Sequence, residues 1–236
     1  MCIRDRSEPV PAAAERVAGA VRVTEACRRG RFIVFEGGEG AGKSTQASLL
    51  AKALRDRGRK VVTTREPGGT PGAEALRALL LDHALHWGPR AEALLFAAAR
   101  SDHVERVIEP ALASGSWVVC DRFVDSSRAY QGGAGGIGDD DVLALHAIGS
   151  GGLLPDLTML IELDPASAAA RAIARDGDAA DRIGAKDDAY HAAVRERFSL
   201  LAEQAPTRFA RIDGRGSAQE VHRRIMQSLA PLLEHA

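Results

Sequence analysis

The chain has 236 residues, 45% of them hydrophobic, with 31 Lys and Arg residues against 32 Asp and Glu residues. This length is enough for one large or two small domains with a substantial core. The formal net charge of −1 argues against a general nucleic-acid binder, which relies on positive charge to attract phosphates. No apolar run approaches the roughly 20 residues that cross a bilayer, and the three cysteines have neither metal-ligand spacing nor the even count of a disulfide framework. We therefore expect a globular cytoplasmic protein that binds neither membranes nor nucleic acids.

Residues 1–30 have no strand pattern, and the Pro-Val-Pro-Ala-Ala-Ala stretch within them is typical of a flexible arm. The opening sequence Met-Cys-Ile-Arg-Asp-Arg resembles the translation of a sequencing adapter. We predict that residues 1–30 form a disordered arm with a non-native start, and that the fold occupies residues 31–236.

From residue 31 onward, short apolar runs rich in β-branched and aromatic residues alternate with helical patterns. In chain order, the patterns predict a strand at 32–35, a helix ending near 57, a strand at 60–64, helices at 71–82 and 89–113, strands at 117–120, 157–161 and 208–212, and a helix at 217–234. Strands that are apolar throughout and alternate with helices are typical of a parallel sheet covered on both faces. We predict a single α/β domain, a five-stranded parallel sheet with helices on both faces.

Residues 37–44 read Gly-Gly-Glu-Gly-Ala-Gly-Lys-Ser and match the phosphate-loop pattern G-x-x-x-x-G-K-[ST]. Between a strand and a helix, backbone N–H groups and the positive helix end can surround an anion. The pattern predicts that Lys43 contacts the β- and γ-phosphates and that the Ser44 hydroxyl binds Mg²⁺; a glycine-rich turn without a ligand is the alternative. The predicted ATP-binding residues are Gly37, Gly38, Glu39, Gly40, Ala41, Gly42, Lys43, Ser44 and Thr45.

Asp121 ends the third predicted strand, where its carboxylate can reach the phosphate loop from the neighbouring strand. We predict that Asp121 and Ser44 are the metal ligands and hold Mg²⁺ or its water. A helix N-cap is the alternative role for Asp121. The sequence contains no Asn-Lys-x-Asp segment, which a GTPase would usually need to bind its base.

Arg65, Phe96 and Arg100 favour a phosphate acceptor over ATP hydrolysis alone. Arg65 follows the second strand, at the sheet edge where open α/β sheets bind ligands; a solvated arginine in a surface turn is the alternative. Phe96 and Arg100 are spaced i,i+4, so they share a helix face on which they can stack on a flat base and donate to it. From the spacing alone, a core Phe with a partly buried Arg is the favoured interpretation.

The segment at 121–133 adds three further candidates. Arg122 can bind a phosphate group in bidentate fashion beside the strand-end carboxylate. Ser127 and Tyr130 are spaced i,i+3 and present a hydroxyl and a ring from one face if this segment is helical.

Over residues 31–236, the chain resembles the thymidylate kinase family. The resemblance rests on segments 35–45, 64–70 and 121–133, in this order and spacing, and residues 155–158 also match. It implies the P-loop nucleoside-monophosphate-kinase fold, ATP and dTMP as substrates, Mg²⁺ as cofactor and a homodimer. The reaction it implies is transfer of the ATP γ-phosphoryl group to dTMP, giving dTDP and ADP in dTTP biosynthesis.

The resemblance also implies roles for residues around the base. Phe96 is similar to the ring that stacks on thymine, and Arg100 to the donor to thymine O4. Ser127 occupies the position of the side chain near N3, and Tyr130 that of the ring against the deoxyribose, where a 2′-hydroxyl would clash. Gln131 is included among the substrate-binding residues.

Other residues resemble those that contact the phosphate and the sugar hydroxyl of the acceptor. Arg65 and Arg122 resemble ligands of the acceptor phosphate, and Glu39 resembles the partner of the 3′-hydroxyl and of Mg²⁺. The implied catalytic residues are Lys43, Arg175, Arg122 and Glu39.

Glycines flank Glu39 in the phosphate loop, so the loop has no arginine beside its acidic residue. The resemblance then implies the bacterial type, in which a mobile lid, here about residues 171–187, supplies the catalytic arginine. Arg175 best matches that arginine and Arg182 the Asp-Arg element that follows it. Arg171 is the other candidate, and a solvated side chain is the alternative role for each of them.

Two other functions remain open. One is a kinase for another nucleoside or deoxynucleoside monophosphate. The other is a P-loop ATPase switch, which would hydrolyse ATP without an acceptor and would not need Phe96, Arg100 and Ser127 to converge.

Overall fold

The computed structural model describes residues 29–176 and 182–234, with the backbone alone for residues 172, 173, 175 and 176. In this part of the chain, five parallel strands form one sheet in the order β2-β3-β1-β4-β5. The strands are β1 (Phe32–Glu36), β2 (Val61–Arg65), β3 (Trp117–Asp121), β4 (Leu157–Glu162) and β5 (Phe209–Asp213). The prediction of a five-stranded parallel sheet is confirmed.

Helices connect the strands close to the predicted positions. They are α1 (Lys43–Arg55), α2 (Pro71–Leu81), α3 (Pro89–His103), α4 (Glu109–Ala113), α5 (Val124–Ser127), α6 (Asp139–Ser150), α7 (Pro165–Asp176), α8 (Asp188–Gln204) and α9 (Ala218–Glu234). The helix predicted at 89–113 is interrupted by a π-helical turn, Val104–Ile108, between α3 and α4. A second π-helical turn, Arg128–Ala134, follows α5, so Ser127 and Tyr130 do lie in a helical segment.

The central strand β1 is buried on both faces. Ile33 and Phe35 pack in a cluster with α1 and α9, whereas Phe32 and Val34 pack in a second cluster with the α3–α4 region and β3. All four side chains are fully buried, and each contributes roughly 1.5–3 kcal/mol through removal of apolar surface from water. The apolar run therefore needs helices on both faces, as predicted.

The parallel register brings three strand ends to one edge of the sheet. Phe35 of β1 pairs with Asp121 of β3, and Asp121 pairs with Arg65 of β2. Next to this edge, Gly37 has a φ of 135°, and a Cβ on it would lie 2.4 Å from the carbonyl oxygen of Ile161. Only glycine allows the chain to leave β1 this closely beside β4.

The predicted arm lies outside the described residues up to residue 28. Gly30, at its end, donates its N–H to the carbonyl oxygen of Leu112 at 2.8 Å. No helix in the described ranges has the length and apolar character needed to cross a bilayer.

Candidate active site

The predicted phosphate loop connects β1 to α1. Gly42, directly before α1, has a left-handed backbone with φ of 95°, a conformation that glycine adopts without steric cost. The buried ammonium of Lys43 donates to the carbonyl oxygen of Gly38 at 2.7 Å. Burial, with a smaller contribution from the positive charge of Arg122, lowers the pKa of Lys43 to about 8. An anion bound in the loop would offset the cost of burying the ammonium charge and would stabilise the charged form of Lys43.

Ser44 and Asp121, the predicted metal ligands, are in contact. The Ser44 hydroxyl donates to Oδ2 of Asp121, and Oδ1 of Asp121 is buried without a hydrogen-bond partner. Among the described residues, no cluster of three or more His, Cys, Asp or Glu side chains could hold a metal alone. These donors fit Mg²⁺, which prefers oxygen and usually binds through one or two protein groups together with substrate phosphates.

Arg122 lies between the phosphate loop and Tyr130. Its backbone is left-handed, with φ of 69°, which is uncommon for a residue with a side chain. Its guanidinium lies 2.5 Å from Oε1 of Glu39, donates to the Ser126 hydroxyl at 3.0 Å, and lies 5.2 Å from the centre of the Tyr130 ring. An anionic acceptor would therefore compete with Glu39 for this guanidinium.

Glu36, the last residue of β1, supports the turn that carries Arg122. The carboxylate is fully buried; Oε1 accepts from the N–H groups of Phe123 and Ser126 at 2.9 and 3.0 Å, and Oε2 lies 2.6 Å from the Ser126 hydroxyl. Burial raises the pKa of Glu36 to about 7, although the charge of Arg122 opposes this. Sequence reasoning gave Glu36 no role. Its position as the one carboxylate at the end of an otherwise apolar strand could have indicated that it is buried and functional.

A cavity of about 630 Å³ joins the phosphate loop to the predicted base site, which consists of Phe96, Arg100 and Ser127. The structure therefore brings together residues that are far apart in the sequence. The predicted site residues that line the cavity are Glu39, Gly40, Gly42, Lys43, Ser44, Thr45, Arg65, Phe96, Arg100, Asp121, Arg122, Ser127, Tyr130, Gln131 and Arg171.

Arg100 is almost fully buried in the wall of this cavity, and Phe96 is half-buried. The Arg100 guanidinium donates to Oε2 of Glu66 at 2.8 Å and to the Ser127 hydroxyl at 2.7 Å. Oε1 of Glu66 lies 3.1 Å from Nδ1 of the fully buried His103. Glu66 and His103 thus orient Arg100. Sequence reasoning gave neither of them a role, because the contact between Arg100 and Glu66 joins residues 34 positions apart.

Arg65 lies at the mouth of the cavity, where more than half of its side chain is exposed. Its guanidinium is 3.1 Å from both carboxylate oxygens of Glu74. The backbone N–H of Gly69 also donates to this carboxylate and lowers the pKa of Glu74. An exposed ion pair contributes little stability, so Arg65 can exchange Glu74 for an anionic ligand at small cost.

The predicted lid begins within α7, where Arg171 donates to the carbonyl oxygen of Gly214 at 3.2 Å. The side chain of Arg175 and all of residues 177–181 lie outside the described residues. Past this gap, Arg182 donates to Oε2 of Glu92 at 2.6 Å and to the carbonyl oxygen of Leu80 at 2.8 Å. The carboxyl-terminal part of the predicted lid is therefore hydrogen-bonded to α2 and α3.

Comparisons with known proteins point to one protein family. The family model of thymidylate kinase matches residues 35–225. The chain is 56% identical to the thymidylate kinase of Rhizorhabdus wittichii over 86% of this chain and 99% of that protein, and 50% identical to that of Rhodopseudomonas palustris strain TIE-1 over 85% and 89%. A crystal structure of thymidylate kinase from Ehrlichia chaffeensis superimposes with a TM-score of 0.70 and 32% identity, over 86% of this chain and 99% of the other.

We expect Glu36→Gln to change how stability depends on pH. The folded protein keeps the Glu36 proton up to a pKa of about 7, against an ordinary value of 4.5, so unfolding releases a proton between these two values. As the pH rises from about 4.5 to 7, wild type should lose roughly 3 kcal/mol of stability relative to the variant, with no further loss above this range. Urea unfolding of both proteins across this range measures the difference; parallel pH profiles would contradict the prediction.

Proposed function

Because the chain belongs to the thymidylate kinase family, we propose that it transfers the γ-phosphoryl group of ATP to dTMP and forms ADP and dTDP. The observation that carries the proposal is the continuous cavity between Lys43 in the phosphate loop and the pair of Phe96 and Arg100. A nucleotide donor and a flat-base acceptor would meet in it. This arrangement favours a kinase over an ATPase switch, which has no use for a base site.

The acceptor phosphate is already anionic at neutral pH, so the reaction needs no strong base. Catalysis then depends on positioning and on neutralising charge as the phosphoryl group moves in line between two oxygens. Lys43 would stabilise the transferring group, while Arg65 and Arg122 would hold the acceptor after exchanging their contacts with Glu74 and Glu39. Mg²⁺, when bound through Ser44 and Asp121, would supply further positive charge at the donor phosphates.

The residues around the base site support dTMP as the acceptor. Phe96 would stack on thymine, Arg100 would donate to O4, and Ser127 would lie near N3. Tyr130 is buried next to Arg122, and its ring would pack against the deoxyribose. We also propose that the protein acts in the cytoplasm.

The proposed reaction is tested by coupled ADP release with MgATP and a panel of acceptors: dTMP, dUMP, ribothymidine monophosphate, dCMP, dGMP and thymidine. We expect release to depend strictly on an acceptor and to be fastest with dTMP. A faster reaction with another monophosphate would favour a different kinase specificity. Release that needs no acceptor would favour the ATPase switch.

The lid arginine can be identified from paired variants. We expect Arg175→Met to lower kcat by roughly 10³-fold or more while KM for dTMP stays within a few-fold, because this arginine would contact the transferring group and not the acceptor. Arg171→Met is the matched control from the same helix and should reduce kcat much less. The opposite order would assign the role to Arg171, and an equal loss in kcat and dTMP affinity would refute it for either residue.

A homodimer is also part of the proposal. Ile148 on α6 is 86% exposed and Leu94 on α3 is 55% exposed, and these helices pack closely where Gly149 approaches Ala97 and Ser101. A contiguous exposed apolar patch marks an association surface, and we propose that these two helices supply it.

We expect Ile148→Asp to convert the dimer into monomers, because it would bury a charge at the interface. Sedimentation velocity over a range of protein concentrations measures the change. Leu200→Asp, which alters an exposed leucine on α8, is the control and should remain dimeric. A dimer equally stable in both variants would exclude this surface.

A further inference from the structure

We propose that Glu92 is a positioning residue that sets the base preference of the site by fixing the amide orientation of Gln131. The proposal rests on the proposed function and adds to it a determinant of the acceptor. Glu92 lies in the first turn of α3 and is only 5% exposed. No sequence motif contains it.

The two carboxylate oxygens of Glu92 have different partners. Oε1 accepts a hydrogen bond from Nε2 of Gln131 at 3.0 Å, and Oε2 accepts one from Arg182 at 2.6 Å. Gln131 is 3% exposed and lines the cavity. The buried carboxylate therefore connects a residue of the base site with the carboxyl end of the lid.

The chemistry of this contact determines which atom of Gln131 is left for a ligand. A carboxylate can only accept hydrogen bonds, whereas an amide has a donor end and an acceptor end that exchange places when the group rotates by half a turn. Glu92 holds the NH₂ end, so the carbonyl oxygen of Gln131 is the end left for the base. Arg182 compensates the charge of the carboxylate, which would otherwise be costly to bury.

A fixed carbonyl oxygen selects among pyrimidines. Gln131 follows Ser127, the residue proposed to lie near N3, by four positions, so its oxygen would face the same edge of the base from the same side of the helical segment. Thymine carries a hydrogen-bond donor at N3, and cytosine carries an acceptor there. An acceptor held at this edge would pair with thymine and repel cytosine, and polar mismatches in buried sites discriminate strongly. Glu92 would thus act on specificity through Gln131 without touching the base.

The test compares kcat/KM for dTMP with kcat/KM for 5-methyl-dCMP, which keeps the methyl group and alters the edge of the base. In Glu92→Gln, residue 92 can donate or accept, so the Gln131 amide is free to rotate. We expect the preference for dTMP to fall about tenfold or more. A purely structural role would lower both rates together and leave the ratio unchanged, which would overturn the proposal.

Two further measurements test whether Glu92 acts through Gln131. In a Gln131→Ala background, Glu92→Gln should cause no additional change in the ratio; an equal drop there would overturn the proposal. Arg182→Lys retains the positive charge beside Glu92 and should keep the wild-type ratio. A drop as large as that of Glu92→Gln would overturn the proposal and assign the specificity role to Arg182.

Melting temperatures establish that the variants are folded. If Glu92→Gln does not fold, the double variant Glu92→Met/Arg182→Met removes both buried charges together, a change that proteins often tolerate. It should cause the same drop in the ratio, and an unchanged ratio would overturn the proposal. Failure of wild type to use dTMP would instead contradict the proposed function.

Discussion

The hydrogen bonds of the buried Glu36 carboxylate determine the geometry on which the rest of the site depends. Parallel pairing brings the ends of β1 and β3 side by side, and Glu36 then accepts hydrogen bonds from the backbone N–H groups of Phe123 and Ser126, at the start of α5. These bonds help to hold Arg122 in a left-handed backbone conformation that a residue with a side chain seldom adopts. The guanidinium is thereby directed across the phosphate loop, where both substrates would place their phosphates.

Two arginines of the candidate site are paired with carboxylates that a phosphate group could replace. Arg122 is paired with Glu39, and Arg65 with Glu74. Such pairs limit the cost of concentrating positive charge in a cleft, and a phosphate can replace either carboxylate. The cost of placing positive charge in this cleft is still visible at Lys43. Burial and the proximity of Arg122 lower its pKa, which means that they disfavour the charged ammonium.

The sequence predicts those parts of the molecule that depend on local patterns. The phosphate loop, the strands and the i,i+4 pair of Phe96 and Arg100 are readable because backbone geometry repeats over a few residues. The contacts that orient Arg100 and Gln131 span longer separations, 34 residues between Arg100 and Glu66 and 39 between Gln131 and Glu92. No periodicity encodes such pairs. They arise once the sheet order brings the elements together, and the sequence patterns did not predict that order.

Helix α3 nevertheless carries a signal that could have identified these residues. Glu92, Phe96, Arg100 and His103 recur every three or four positions, so they lie on one helix face. The three polar members are buried, although charged residues at such a spacing usually form a solvated face. Each is accommodated because another part of the chain supplies its partner: Arg182 and Gln131 for Glu92, and Glu66 for Arg100 and His103. One helix therefore holds the ring proposed to stack on the base, the arginine proposed to donate to it and the residue proposed to orient Gln131, so a shift of α3 would alter all three together.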